Sequence, residues 1–123
     1  MRAKDAVGRY GERIAAQHLI DSGLHLIATN WRCAEGEIDI IARDGEVLVF
    51  CEVKTRSSLD YGDPAEAVNR VKAARIRTVA LRWLAEQRQL GGPAYWPDLR
   101  FDVVSIVRSA RGAATVRHLR AAF

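Results

Sequence analysis

Two stretches rich in β-branched and aromatic residues, with acids at intervals, lie side by side in the middle of the chain, at residues 37–43 and 46–54. The dipeptide between them, Asp44-Gly45, accepts the positive φ values of a tight turn. Two such runs around such a dipeptide predict an antiparallel β-hairpin with a two-residue loop. The register of that hairpin then decides which side chains meet.

If Asp44-Gly45 is the loop, counting outward from it places Asp39 opposite Phe50 and Glu37 opposite Glu52. Because strand side chains alternate between faces, one face is predicted to carry three carboxylates and one ammonium group, those of Glu37, Asp39, Glu52 and Lys54. Apolar side chains share this face in the same register, and they are Ile41, Leu48 and Phe50. The face is therefore expected to be half buried.

Carboxylates that face each other across a strand pair repel, so a plain hairpin with a solvated polar face should avoid them. A divalent cation would remove the conflict, and a buried carboxylate needs such a partner. Mg²⁺, or Mn²⁺ in its place, prefers a few carboxylate, carbonyl and water oxygens together with a substrate phosphate. The predicted metal ligands are Asp39, Glu52, Glu37 and the Val53 carbonyl. Lys54 is expected beside the metal, where it would hold a phosphate or an attacking water.

An Asp on one strand and Glu-x-Lys on the next, here Asp39 and Glu52-Val53-Lys54, resemble the core of the PD-(D/E)XK nuclease superfamily. More narrowly, Gly36-Glu-Ile-Asp-Ile-Ile-Ala and Val49-Phe-Cys-Glu-Val-Lys-Thr-Arg resemble the YraN-like family of bacterial predicted endonucleases, distantly similar to archaeal Holliday-junction resolvases. The likeness extends from Gly8 to the terminal Ala-Phe. One departure is Ile38, which stands before Asp39 where the superfamily often has proline.

The resemblance implies a restriction-endonuclease-like fold and Mg²⁺-dependent cleavage of DNA, including branched or structured DNA, with catalytic roles for Asp39, Glu52 and Lys54. It also implies that an acid on the first helix, Glu12, reaches the metal. The alternative is that Glu12 is a solvated charge beside Arg9 and Arg13. A homodimer is plausible because a four-way junction has two-fold symmetry. The competing hypothesis is a nucleic-acid-binding protein that keeps the nuclease fold and cleaves nothing.

Charge is distributed unevenly along the chain. The net charge is +4, but residues 35–63 hold eight acids and three bases, so this segment carries −5 and the remainder +9. An acidic centre within a basic body suits a nucleic-acid hydrolase, although 16 arginines against 3 lysines can also reflect codon bias. Phosphate contacts are expected from Arg56, Arg70, Lys72, Arg75 and Arg77, for which a solvated surface is the alternative.

The segments around the hairpin predict the rest of the fold. Residues 5–22 have the pattern of an amphipathic helix that Gly23 ends, and residues 24–31 that of a strand. Asp63-Pro64-Ala65-Glu66 is a capping box that starts a helix to about residue 89, with a break expected near Asn69. Its predicted buried side consists of Val68, Val71, Ile76, Val79, Ala80, Trp83 and Leu84.

Beyond that helix, Tyr95-Trp96-Pro97 is expected to cover the core, although such a loop could also stack on an unpaired base. Strands are predicted at residues 99–107, where Asp102 is interpreted as structural, and at 115–119. The order of elements predicts one α/β domain over residues 1–123, with a mixed sheet of about five strands.

No run of apolar residues is long enough to cross a membrane, and the N-terminus has no signal-peptide pattern. A cytosolic protein with no membrane partner is therefore expected, in which Cys33 and Cys51 are reduced thiols. The two cysteines and three histidines show no zinc-binding spacing.

Overall fold

The computed structural model describes residues 3–57, 68–93, 95–109 and 111–123, with side chains from residue 6 onward. Two helices and five strands follow one another in the order α1 (Ala3–Asp21), β1 (His25–Cys33), β2 (Gly36–Asp44), β3 (Val47–Arg56), α2 (Arg70–Gln89), β4 (Asp98–Val107) and β5 (Thr115–Leu119). The predicted capping box at residues 63–66 lies outside the described residues. Within them, neither helix is long and apolar enough to span a membrane.

The five strands form one sheet in the order β1-β2-β3-β4-β5. Neighbouring strands are antiparallel except for β3 and β4, which are parallel. A parallel pair requires a crossover between its strands, and this crossover contains α2. The predicted α/β architecture with a mixed five-stranded sheet is confirmed, and it matches a restriction-endonuclease-like fold.

A separate apolar cluster lies against each helix. The α1-side cluster is built from Ala15, Leu19, Leu24, Ile40, Ala42, Val49, Cys51, Val104 and Ile106. The α2-side cluster is built from Ile38, Ile41, Leu48, Phe50, Ile76, Val79, Ala80, Trp83 and Leu84. Two layers of helix around one sheet therefore bury both of its faces.

The two helix boundaries follow the local sequence. Gly23, with φ 96°, ends α1, and the Leu24 N–H donates to the Leu19 carbonyl at 3.0 Å, as the sequence predicts. Helix α2 begins after Asn69, whose side chain accepts from the Lys72 N–H at 2.8 Å. Val71 is 69% exposed, so its predicted burial is wrong.

The hairpin between β2 and β3 forms, but the predicted register is wrong. Asp44 pairs with Val47 and Ile41 with Phe50, so the loop is Gly45-Glu46. Gly45 has φ 61°, which fits a two-residue hairpin loop that places glycine first. The register shifts by two residues, so Asp39 does not lie opposite Phe50.

The predicted sharing of one face is also wrong, because side-chain alternation breaks at Asp39. Ile38 packs in the α2-side cluster, but Ile40, two residues later, packs in the α1-side cluster. On β1, the partners of Ile38 and Ile40 flank Asn30, which has φ 52°. Asn30, in a left-handed conformation that asparagine tolerates, therefore lies opposite the break. Asp39 thus faces α1 and not the apolar side chains beneath α2.

The aromatic segment before β4 covers the core, as predicted. Trp96 is partly buried and packs against the α2-side cluster, whereas Tyr95 is 77% exposed. Under it, Phe50 stacks on Phe101 with ring centroids 5.4 Å apart.

Candidate metal centre

Helix α1 approaches β3 closely at Gly11. This residue is buried, and a Cβ at its position would overlap the Thr55 side chain. Glycine therefore allows helix backbone and strand to touch, which fixes the depth at which the next residue, Glu12, lies over the sheet. Any larger residue would have to displace the helix or Thr55.

Three carboxylates meet at this contact. Oxygen atoms of Glu12, Glu37 and Asp39 lie within 4.8 Å of one another. Glu12 could form a helical ion pair with Arg9 or Arg13, but among the described side chains no ion pair joins it to either. Its carboxylate lies with two other acids, in the arrangement of hard oxygen donors that Mg²⁺ and Mn²⁺ require.

Asp39 is the most perturbed of these acids. Its carboxylate accepts a hydrogen bond from the Val53 N–H at 2.8 Å, which joins the end of β2 to β3. Burial, then the charges of Glu52, Glu12 and Glu37, raise the pKa of Asp39 from 3.8 to about 7, against the opposing effect of that hydrogen bond. Glu37 has partial compensation, since Arg32 Nε lies 2.6 Å from it.

The raised pKa of Asp39 predicts how stability depends on pH. The carboxyl of Asp39 binds its proton more tightly in the folded than in the unfolded protein. The folded protein therefore loses stability as pH rises from the unfolded pKa, 3.8, to the folded pKa, about 7. Asp39→Asn removes this cost and keeps an acceptor for the Val53 N–H. In EDTA, the free energy of unfolding of Asp39→Asn minus that of wild type should therefore increase between pH 5 and pH 8, by on the order of 3 kcal/mol.

Urea unfolding at several pH values measures that difference. Asp98→Asn, which removes an exposed acid from β4, is the matched control for charge. A stability difference between Asp39→Asn and wild type that stays constant across this range would refute the raised pKa.

Glu52 stands apart from the three acids. Its Oε1 lies 2.7 Å from Lys72 Nζ in a largely buried ion pair, in which the Glu52 side chain is 11% exposed. The pair joins β3 to the first turn of α2. The structure thus gives Lys72 a carboxylate partner where sequence predicted a phosphate contact, and nothing in the sequence spacing indicated the pair.

Lys54 and Glu12 border the same cleft beside α1. Its volume is about 360 Å³, and Val7, Gly8, Val53 and Thr55 also line it. Lys54 is exposed. The cleft therefore joins an exposed lysine to one residue of the acidic cluster.

The arginines predicted to bind phosphate occupy different environments. Arg70 is exposed at the start of α2, and Arg56 ends β3, where its carbonyl accepts from the Arg108 N–H at 2.7 Å. Arg75 runs past Gly36, where a Cβ would come within 3.2 Å of the arginine Cδ. Arg77 lies over the ring of Phe101, 5.0 Å from its centroid. They therefore form no single phosphate-binding row with the acids.

A second polar cluster, around the fully buried Asp102, has another role. Arg100 donates to it with Nε and a terminal nitrogen, His118 Nε2 lies 2.7 Å away, and the Ala121 N–H donates at 2.9 Å. Burial alone would raise the pKa of Asp102, but these hydrogen bonds hold it below its usual value. Burial raises the pKa of the nearby Cys51 thiol, which is therefore protonated and unsuited to bind a metal.

Comparison with known proteins identifies the chain's relatives. Residues 11–106 match the profile of the uncharacterised protein family UPF0102. A UPF0102 protein of Beutenbergia cavernae is 56% identical over 120 residues, covering 98% of each chain, and one of Frankia casuarinae is 54% identical over 123 residues, the whole of both chains. One of Nocardia farcinica is 49% identical over 120 residues, or 98% of this chain and 91% of the relative. The YraN-like resemblance in the hairpin motifs is thus confirmed, and the chain belongs to the UPF0102 family.

Proposed function

We propose that this protein is a Mg²⁺-dependent endonuclease that hydrolyses phosphodiester bonds in DNA. The observation that carries the proposal is the meeting of Glu12, Glu37 and Asp39 within 4.8 Å, beside a cleft that Lys54 lines. Carboxylates so close repel one another, and Glu12 could instead form an ion pair with Arg9 of its own helix. A divalent cation would offset the repulsion between these carboxylates and so explain why they converge. A lysine that lines the same cleft would help the cation to bind a phosphate.

The donor set fits Mg²⁺ or Mn²⁺, since it consists of carboxylate oxygens in a partly buried pocket. Glu12, Glu37 and Asp39 would hold the ion, and the Val53 carbonyl and Glu52 are further candidates on β3. When bound, the ion supplies Lewis-acid activation of the phosphodiester and compensates the charge of the acids.

The chain's own residues position and neutralise the substrate. Lys54, which lines the cleft, would stabilise the charge that develops on the phosphate oxygens with its ammonium group. The Val53 N–H fixes one carboxylate oxygen of Asp39 and leaves the other available. Lys72 orients Glu52 through their 2.7 Å contact and partly compensates its charge, while Glu52 stays close enough to Asp39 to raise the pKa of that carboxyl.

DNA suits the chain as a partner because the residues outside segment 35–63 carry a net charge of +9. Branched or structured DNA is the substrate that the resemblance to junction resolvases implies, and a homodimer would match its two-fold symmetry. A cytosolic location agrees with such a substrate. The non-catalytic alternative is supported by the Lys72–Glu52 pair, which neutralises one of the acids.

The decisive experiment is incubation of the protein with linear duplex, single-stranded and four-way-junction DNA, each in Mg²⁺, Mn²⁺ or EDTA. We expect cleavage of at least one DNA form in either metal and none in EDTA. Binding without cleavage in both metals would favour the non-catalytic alternative. Neither binding nor cleavage would reject nucleic acid as the partner.

A further inference from the structure

A second cleft lies between α1 and β1 and also borders Glu12. Its volume is about 320 Å³, and it is lined by Arg9, Glu12, Arg13, Ala16, Thr29 and Asn30. Glu12 borders both this cleft and the one that contains Lys54. Cationic residues therefore line both clefts that Glu12 borders, two arginines in one and a lysine in the other.

We propose that Arg9 and Arg13 bind successive phosphates of the DNA strand on the side of the acidic cluster away from Lys54. This inference rests on the proposed function and specifies how the substrate lies. The strand would run along the exposed flank of α1, cross Glu12 at the acids and continue past Lys54. Arg9 and Arg13 are binding residues in this arrangement and take no part in the chemistry.

The spacing of the two arginines fits a nucleic-acid backbone. They are four positions apart on a helix, which separates them by about 6 Å along the axis. This is close to the distance between neighbouring phosphates of one strand. Both side chains are exposed. Guanidinium groups bind phosphate oxygens bidentately, so each can hold one phosphate.

The charges on this flank of α1 are arranged for a ligand and not for helix stability. Like charges four residues apart weaken a helix by a few tenths of a kcal/mol. Glu12 lies three positions after Arg9 and could compensate it, yet among the described side chains neither arginine forms an ion pair with Glu12 or with another acid. An anionic ligand would supply the missing compensation.

Two of the arginines of α2 have other contacts. Arg77 lies over two aromatic rings, 5.0 Å from the centroid of Phe101 and 5.9 Å from that of Phe123. Arg82 forms an ion pair with Glu35. Arg9 and Arg13, by contrast, line a cleft that Glu12 of the acidic cluster also borders.

DNA affinity measured with Ca²⁺ in place of Mg²⁺, so that binding is observed without cleavage, tests this inference. Arg9→Ala/Arg13→Ala should weaken binding to duplex DNA at least 10-fold at low salt, and should reduce the slope of log K against log salt concentration by about 2. Arg88→Ala/Arg111→Ala removes two exposed arginines elsewhere and should change affinity less than 3-fold. Arg9→Lys/Arg13→Lys keeps the charge and should retain most of the slope.

Three outcomes would overturn the inference. Equal losses of affinity in Arg9→Ala/Arg13→Ala and in the control pair would show that only total charge matters. Wild-type protein that cleaves DNA, together with an Arg9→Ala/Arg13→Ala variant of unchanged affinity, would reject the path along α1 and leave the nuclease proposal intact. If wild type neither binds nor cleaves DNA, both proposals fail. Alanine favours helix, so thermal melts of the variants should match wild type.

Discussion

Asp39→Asn is expected to abolish Mg²⁺-dependent cleavage, with a loss of at least about 1000-fold, while the protein remains folded. Asp39 lies at the centre of the acidic cluster, where it is coupled to Glu52, Glu12 and Glu37, and asparagine retains its shape without its charge. A second readout is the melting temperature. Mn²⁺ that binds only the native protein should raise the melting temperature of wild type, and Asp39→Asn should lose most of that rise.

Lys54→Ala separates metal binding from the chemistry at the phosphate. It should lose cleavage to a similar degree but keep the rise in melting temperature with Mn²⁺, because an ammonium group is not a metal ligand. Glu46→Gln, which removes an exposed acid from the hairpin loop, should behave as wild type in both assays. Undiminished cleavage by Asp39→Asn, or an unchanged metal-induced shift, would mean that these carboxylates form no metal site.

The second large effect is expected at Asp102. Asp102→Asn should lower the free energy of unfolding by about 3–5 kcal/mol, because it removes the anionic partner of His118, which is 7% exposed, and leaves Arg100, which is 18% exposed, with Asp44 as its remaining carboxylate. For a domain of this size the melting temperature should fall by more than about 10 °C. The reason is the position of Asp102, which is fully buried and holds β4, β5 and the C-terminal residues together.

Asp98→Asn, on the same strand but exposed, is the matched control and should change the melting temperature by less than about 2 °C. Cleavage by Asp102→Asn at a temperature where it is folded should equal that of wild type, since Asp102 is interpreted as structural. A stability close to wild type would show that Arg100 and His118 find other partners at little cost.

The sequence predicted the elements well because their signals are local. Gly23 ends a helix through a backbone conformation that it adopts easily, and apolar residues mark α2 and β4 on their own.

The candidate metal centre was predicted in part for the same reason. Glu37, Asp39, Glu52 and Lys54 are close in sequence, and any antiparallel hairpin brings them near one another.

Three features of the site could not be predicted from local signals. The hairpin loop is Gly45-Glu46 and not Asp44-Gly45, although glycine suits either position of such a loop, and this changes the register by two residues. The face that Asp39 takes follows from a break in side-chain alternation that lies opposite Asn30 on a different strand. The Lys72–Glu52 pair depends on how α2 packs. The last two depend on contacts between segments distant in sequence, which one sequence does not show.

The single parallel strand pair also determines how the chain must fold. Strands β1, β2 and β3 follow one another in the chain and form a meander. Strand β4 pairs with β3 across a much longer distance in sequence, since the first pair, Val47 and Asp98, is 51 residues apart. Closing a loop of that length costs roughly 3.5 kcal/mol of chain entropy before any contact forms in return. The meander, which holds Glu37, Asp39 and Glu52, can therefore assemble early. Docking of β4 against it, with Asp102, is the slow, long-range step that completes the sheet.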